Sequence, residues 1–281
     1  FWTMGIFFAG MRLKLFTLAS IRKMKIKSQK IIGQNGKVRE HFVNKFNKKG
    51  LIERTEFLDE HGQLQFYSEF VYDSNDNCIL KKEFDAKNEI QSSNQWEFDE
   101  QNREIKFLEL TAENVIWEWY EKQYPNDNTV IYISKDETGK INHKTIENTR
   151  TGRQERFGED GKLYATITKE YDSSGRLISS KTVNTKSKVT EENRYRYSGL
   201  TEIWELYIDG KFIKTEEYQT DKNGNQIYYV RKDAKGKSLE WLKREYDEYG
   251  NQVSIENGFE IDKPTHKSTI EIEYLKNENA C

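Results

Sequence analysis

The chain has 281 residues, enough for one large domain or two ordinary ones. Lys and Arg number 45 against 47 Asp and Glu, a balance that excludes the basic face of a general nucleic-acid binder. Only 35% of residues are hydrophobic yet 13% are aromatic, which excludes a disordered chain and implies a folded protein with a thin core.

The amino end opens with FWTMGIFFAGMRLKLFTLAS. Arg12 and Lys14 precede a short apolar run, Leu15 to Ala19, that faintly resembles a signal peptide. The run is shorter than the roughly 7–15 residues of an export segment and too short to span a bilayer. Residues 1–30 are therefore expected to form a short basic amphipathic helix or a disordered lead-in, with a repetitive β-sheet domain over 31–281.

From Phe46 one unit recurs: aromatic, Asp or Asn, two variable residues, Gly or Asn, one variable residue, aliphatic. Copies begin at Phe46, Leu58, Tyr72, Phe84, Phe98, Leu110 and Tyr124, in steps that alternate between 12 and 14 residues. A larger unit of 26 residues therefore links Phe46, Tyr72, Phe98 and Tyr124. The alternation returns at Phe157, Tyr171, Val183 and Tyr197, and again at Lys232 and Tyr246.

Each copy reads as a hairpin turn. Asp or Asn at the second position folds its side chain onto the local backbone, and Gly or Asn at the fifth accepts the left-handed conformation. Between turns lies one strand. Leu64, Phe66, Phe70 and Tyr72 alternate onto one face, interrupted by Tyr67 and Val71, and Leu163, Ala165, Ile167 and Tyr171 form a matching face. Because both steps are even, every repeated aromatic is expected to return to the same face. One long apolar face cannot stay open to water. The expected fold is all-β: a long antiparallel meander of 26-residue double-strand units, curled into a shell, an open barrel or a sandwich-like sheet.

The period loosens between Ile131 and Gln154, which places a soft domain boundary near residue 150. Asp209-Gly210 reads as a two-residue hairpin turn, and Lys267 to Leu275 alternates as a closing strand.

The heptapeptides YDSSGRL at Tyr171 and YDEYGNQ at Tyr246, with their degenerate copies from Phe46 to Val253, resemble the YD repeat of Rhs-family and teneurin-type proteins. That resemblance implies a bacterial Rhs-like β-sheet shell. This chain is far shorter than such shells and carries no toxin domain or autoproteolysis motif of that family, so the resemblance implies the fold rather than encapsulation.

Chemical motifs are sparse. His41, His61, His143 and His266 are scattered, with no zinc or catalytic grouping. Cys78 and Cys281 supply no disulfide framework. Asp73, Asn75 and Asn77, like Asp221, Asn223 and Asn225, alternate as calcium ligands do, but turn chemistry accounts for them. No phosphate loop, nucleophile elbow or dinucleotide fingerprint is present. The expectation is no cofactor and no catalytic residue; an enzyme built from scattered carboxylates, such as a glycan hydrolase, would need two of them in one cleft.

Trp117 and Trp119 share a face of one strand and could stack on a sugar or anchor a protein, unless that strand is buried on both faces. Trp204 and Trp241 raise the same question. These four are the candidate partner-binding residues. The functional expectation is a non-enzymatic repeat protein whose extended sheet binds a protein or a glycan, with no nucleic acid and no membrane span. The alternative is an immunity-like protein that neutralises a bacterial toxin by direct contact. Cysteine usage is compatible with a reducing cytoplasm but does not settle the compartment; the cytoplasm is the expected location, with export or the cell surface left open.

Overall fold

The structure is a computed structural model and describes residues 25–261 and 263–275. It contains twenty antiparallel strands, all hydrogen-bonded into one sheet. The first five are β1 (Ile26–Gly33), β2 (Val38–Phe46), β3 (Ile52–Leu58), β4 (Leu64–Tyr72) and β5 (Cys78–Asp85). Then come β6 (Ile90–Phe98), β7 (Glu104–Thr111), β8 (Ile116–Asn126), β9 (Thr129–Lys135) and β10 (Ile141–Asn148). The chain continues through β11 (Gln154–Gly158), β12 (Leu163–Tyr171), β13 (Leu177–Asn184), β14 (Val189–Ser198) and β15 (Thr201–Ile208). It ends with β16 (Lys211–Thr220), β17 (Gln226–Asp233), β18 (Ser238–Tyr246), β19 (Gln252–Gly258) and β20 (His266–Tyr274).

Each strand pairs with its sequence neighbours, and β1 pairs with β20 from Ile26↔Tyr274 to Gly33↔Ser268, so the sheet closes into a barrel. Closure removes both free edges. Followed from partner to partner, the register returns to β1 displaced by about 22 residues. Twenty strands with that stagger tilt by roughly 40° and enclose a cylinder roughly 36 Å across at the backbone. No strand approaches any other than its hydrogen-bonded neighbours, so the wall is a single layer around a lumen.

β1 begins at Ile26, inside the segment read from sequence as a lead-in; residues 1–24 lie outside the described residues, as does Cys281. The sheet runs without a break past residue 150, where β10 and β11 pair from His143↔Gly158 to Glu147↔Gln154.

The turns follow the repeat closely. In the turn after β3, Asp59 Oδ1 accepts from the backbone N–H groups of His61 and Gln63, and the Gly62 N–H donates to the Asp59 carbonyl. Asp73, Asp85, Asp99, Asp136, Asp172, Asp221, Asp233 and Asp247 each accept the same pair of backbone bonds. The calcium-like alternations at Asp73 and Asp221 are thus turn chemistry. The left-handed position is held by Gly175 at φ 76°, and in other copies by Asn88 and Asn102.

One expectation about faces is overturned. Tyr67, read as an interruption, is 4% exposed and stacks on Phe84, whereas Phe66 is 44% exposed on the other face. Tyr72 lies five positions along β4 from Tyr67, so Tyr72 and Phe84 point to opposite sides. The cause is a register shift beside the turn, as at Val71/Tyr72 and Glu83/Phe84, where one extra residue flips the alternation.

Candidate functional site

The two faces of the wall differ in enclosure and chemistry. On β20 Lys267, Thr269 and Glu271 are exposed, while Ser268 and Ile270 are buried and Ile272 half-buried. On β6 Gln91, Gln95 and Glu97 are exposed, while Ser92, Asn94 and Trp96 are half-buried. Side chains on a concave face converge and shield one another, so on these two strands the more enclosed set is assigned to the lumen. Traced by register from there, Tyr67, Ile133, Val230 and Trp241 are buried on the outer face and Phe66 is exposed on the inner one.

Followed by register, the inner face carries aromatic ladders: Phe42 against Phe57 and Phe57 against Phe66, then Trp96 against Phe107 and Phe107 against Tyr120. The outer face carries ion pairs within and between strands, together with the stack of Tyr67 on Phe84. Lys45 and Arg54 meet Glu56 at 2.7 and 2.9 Å, Lys106 meets Glu97 at 2.8 Å, and Lys135 meets Glu121 at 2.6 Å.

The four tryptophans do not form one surface. Trp117 and Trp119 share the outer face of β8, as their alternation required. Trp117 is 78% exposed. Trp119 is half-buried with Lys135 Nζ 4.5 Å from its ring centroid, and its Nε1 is buried without a hydrogen-bond partner among the described residues. Trp204 points inward, donates from Nε1 to Asn193 at 2.9 Å and carries Lys214 Nζ over its ring at 4.5 Å. Trp241 is 4% exposed and donates from Nε1 to the Glu260 carbonyl, which ties down the β19–β20 loop.

Around Trp204 the inner wall holds a polar chain that sequence reasoning did not single out. Glu216 is 8% exposed, accepts from Lys214 Nζ at 2.8 Å and from the Tyr218 hydroxyl at 2.5 Å, and stands in register with Arg231. Arg231 in turn meets Glu240 at 2.8 Å, while its Nε is buried without a partner among the described residues. Burial first, then the Glu216 carboxylate, pushes the Tyr218 and Tyr229 phenols far above their ordinary value. Nothing in KTEEYQ distinguishes Glu216 from its neighbour Glu217, which faces out; only the register separates them.

The two ends of the barrel also differ. At the rim formed by the turns after even-numbered strands, Tyr hydroxyls lock four of the hairpins to the strand before them. Tyr72, Tyr124, Tyr197 and Tyr246 donate to the carbonyls of Ile52, Glu104, Leu177 and Gln226, each twenty residues earlier. Arg103 and Arg176, bonded to Asp99 and Asp172, lie over the Tyr124 and Tyr197 rings. The opposite rim carries exposed charged turns such as Lys140, Glu159 and Lys162 and, among them, more exposed apolar side chains than the first. Val115, Trp117, Ile141, Leu163, Leu239 and Phe259 are exposed there, whereas among the described residues the first rim exposes only Val71, Tyr171, Ile178 and Leu200 as large hydrophobic side chains.

Among the described residues no group of His, Cys, Asp and Glu is arranged to hold a metal, and no helix is long and apolar enough to cross a membrane. No family model and no curated protein matches the chain. Among solved structures it is similar to a porin-like protein from Bacteroides uniformis ATCC 8492, at 9% identity and a TM-score of 0.39, over 88% of this chain and 98% of that one. It is also similar to TcdB2-TccC3-TEV, at 11% identity and a TM-score of 0.24, over 79% of this chain but 17% of that one. A Photorhabdus luminescens Tc holotoxin pore matches over the same shares at 10% identity and a TM-score of 0.24.

Proposed function

We propose that this chain is a non-enzymatic binding protein: a water-standing barrel of YD-type hairpins that engages a protein partner through the rim that exposes Trp117. The observation that carries the reading is the exposure of Trp117, at 78%, among other apolar side chains at one end of the barrel. Aromatic anchors surrounded by lesser apolar contacts are what protein interfaces are built on, and isolated exposure of a Trp is costly. Val115 precedes Trp117 in the chain and is likewise exposed, which extends the apolar patch at this point of the rim.

The outer face supports a barrel that stands in water. A membrane barrel presents an apolar band roughly 25 Å tall to lipid. Here Glu56, Glu97, Lys106, Glu121 and Lys135 stand on the outer wall in cross-strand ion pairs. A bacterial toxin neutralised by direct contact is one partner of the kind this rim would fit, and the neighbouring reading frames would identify it.

The test is affinity capture with the full chain and with the double variant Trp117→Ala/Val115→Ser, followed by titration of whichever protein is captured. The double variant is expected to weaken binding at least tenfold while leaving the unfolding temperature unchanged, because neither side chain is buried. Unaltered affinity, or capture of glycans alone, would remove the rim from consideration.

A further inference from the structure

A second site, independent of the rim, lies inside the barrel at the seam where it closes. A pocket of about 480 Å³ opens on the inner face of β18, β19 and β20. Its volume falls within the range of small-molecule sites. Arg39, Leu242, Ile255, Asn257, Phe259 and His266 line it.

Each of these residues arrives for a local reason. Arg39 is the extra residue where the β1–β2 register shifts between Ile31 and Ile32, so it has no cross-strand partner and turns away from the alternation of β2. Gly33 makes room for it: a Cβ at that position would stand 2.7 Å from Arg39 Nε, although the backbone there has no left-handed conformation to require glycine. Gly258 does the same for the loop, since a Cβ would stand 2.4 Å from the Lys263 carbonyl and 2.9 Å from Trp241 Nε1.

The charges point to the ligand. Arg39 forms no ion pair with any described residue, although the pocket also contains Glu240. Glu240 is already neutralised by Arg231 at 2.8 Å. The charge facing the cavity that has no ion pair among the described residues is therefore a guanidinium, whose planar fork suits a carboxylate. Asn257 adds polar capacity beside it, and His266 is fixed through Nδ1 by the Thr265 hydroxyl at 3.1 Å. The remaining wall is apolar, with Leu242 and Ile255 as floor and Phe259, 67% exposed, at the mouth.

We propose that this pocket binds a small organic acid, with its carboxylate on Arg39 and its apolar or aromatic body on Leu242, Ile255 and Phe259. The experiment is ligand-observed NMR on the full chain with benzoate, 3-phenylpropionate, the amides of both, and inorganic phosphate. One or both acids are expected to bind in preference to their amides and to phosphate. Arg39→Gln is expected to weaken the acid at least tenfold, and Phe259→Ala several-fold. Thermal unfolding of each variant controls for folding. The proposal falls if neither acid binds, if Arg39→Gln leaves binding unchanged, or if amides or phosphate bind as well as the acids.

Discussion

At the scale of single residues, the turn aspartates and the rim tyrosines carry much of the fold's specificity, and their titration makes this visible. The Arg176 backbone N–H and then its side chain hold the Asp172 carboxyl below its ordinary range, and for Asp99 the Arg103 side chain is the larger cause. A depressed carboxyl contributes stability above its unfolded value of about 4, and that contribution is lost as pH falls through the folded value. The unfolding temperature should therefore drop on acidification below about pH 4, less steeply in Asp99→Asn/Asp172→Asn, as calorimetry would report.

The phenols act in the opposite sense. Burial pushes Tyr197 and Tyr274 up to about 12. Their contribution is complete below the unfolded value of about 10 and is lost as pH rises toward the folded one. Alkaline unfolding should set in above about pH 10, with phenolate absorbance appearing together with loss of β-structure. For Gly175→Ala, φ 76° with open space around the position leaves only the backbone cost, expected at about 1 kcal/mol in urea titration. These residues were legible in the sequence because their role is local: Asp, two residues, Gly specifies its own turn.

At the scale of strands, hairpin positions were legible and faces were not. A shift beside most turns adds one residue to one strand, and the sequence of Val71-Tyr72 or Glu83-Phe84 contains no mark of it. The alternation read within β12, with Ala165 and Ile167 on one buried face, held because no shift intervenes between those two residues. The same uncertainty concealed the inner polar chain. Glu216 and Glu217 are equivalent in sequence, yet one is buried between Lys214 and Tyr218 and the other faces out. Glu216→Leu should cost about 2–3 kcal/mol by stranding Lys214 and the Tyr218 hydroxyl. The double variant Lys214→Met/Glu216→Leu should recover a large part of that loss in the same denaturation measurement, since an apolar pair leaves no unmatched charge. A double variant no more stable than Glu216→Leu would show that the cost lies elsewhere.

At the scale of the whole molecule, closure is the property least visible in sequence. A thin apolar face demands that a meander curl, but whether β1 meets β20 depends on stagger accumulated over every turn, and no local pattern encodes that sum. Ile270 sits at this seam, buried opposite Ile31. Ile270→Ala should lower stability by about 2–4 kcal/mol. If the seam opens, size-exclusion chromatography should show association through the two bared edges before global unfolding.

The tyrosine hydroxyls at the polar rim have a consequence for how such a chain can change size. Each ties its hairpin to a carbonyl twenty residues back, so the contacts of one unit refer only to the unit before it. Excising residues 73–98 would bring Tyr72 against Asp99 and restore a Tyr-Asp step at the junction. Copy number alone then sets the width of the opening, and a gene can widen or narrow it two strands at a time by duplication or loss, without inventing a new contact.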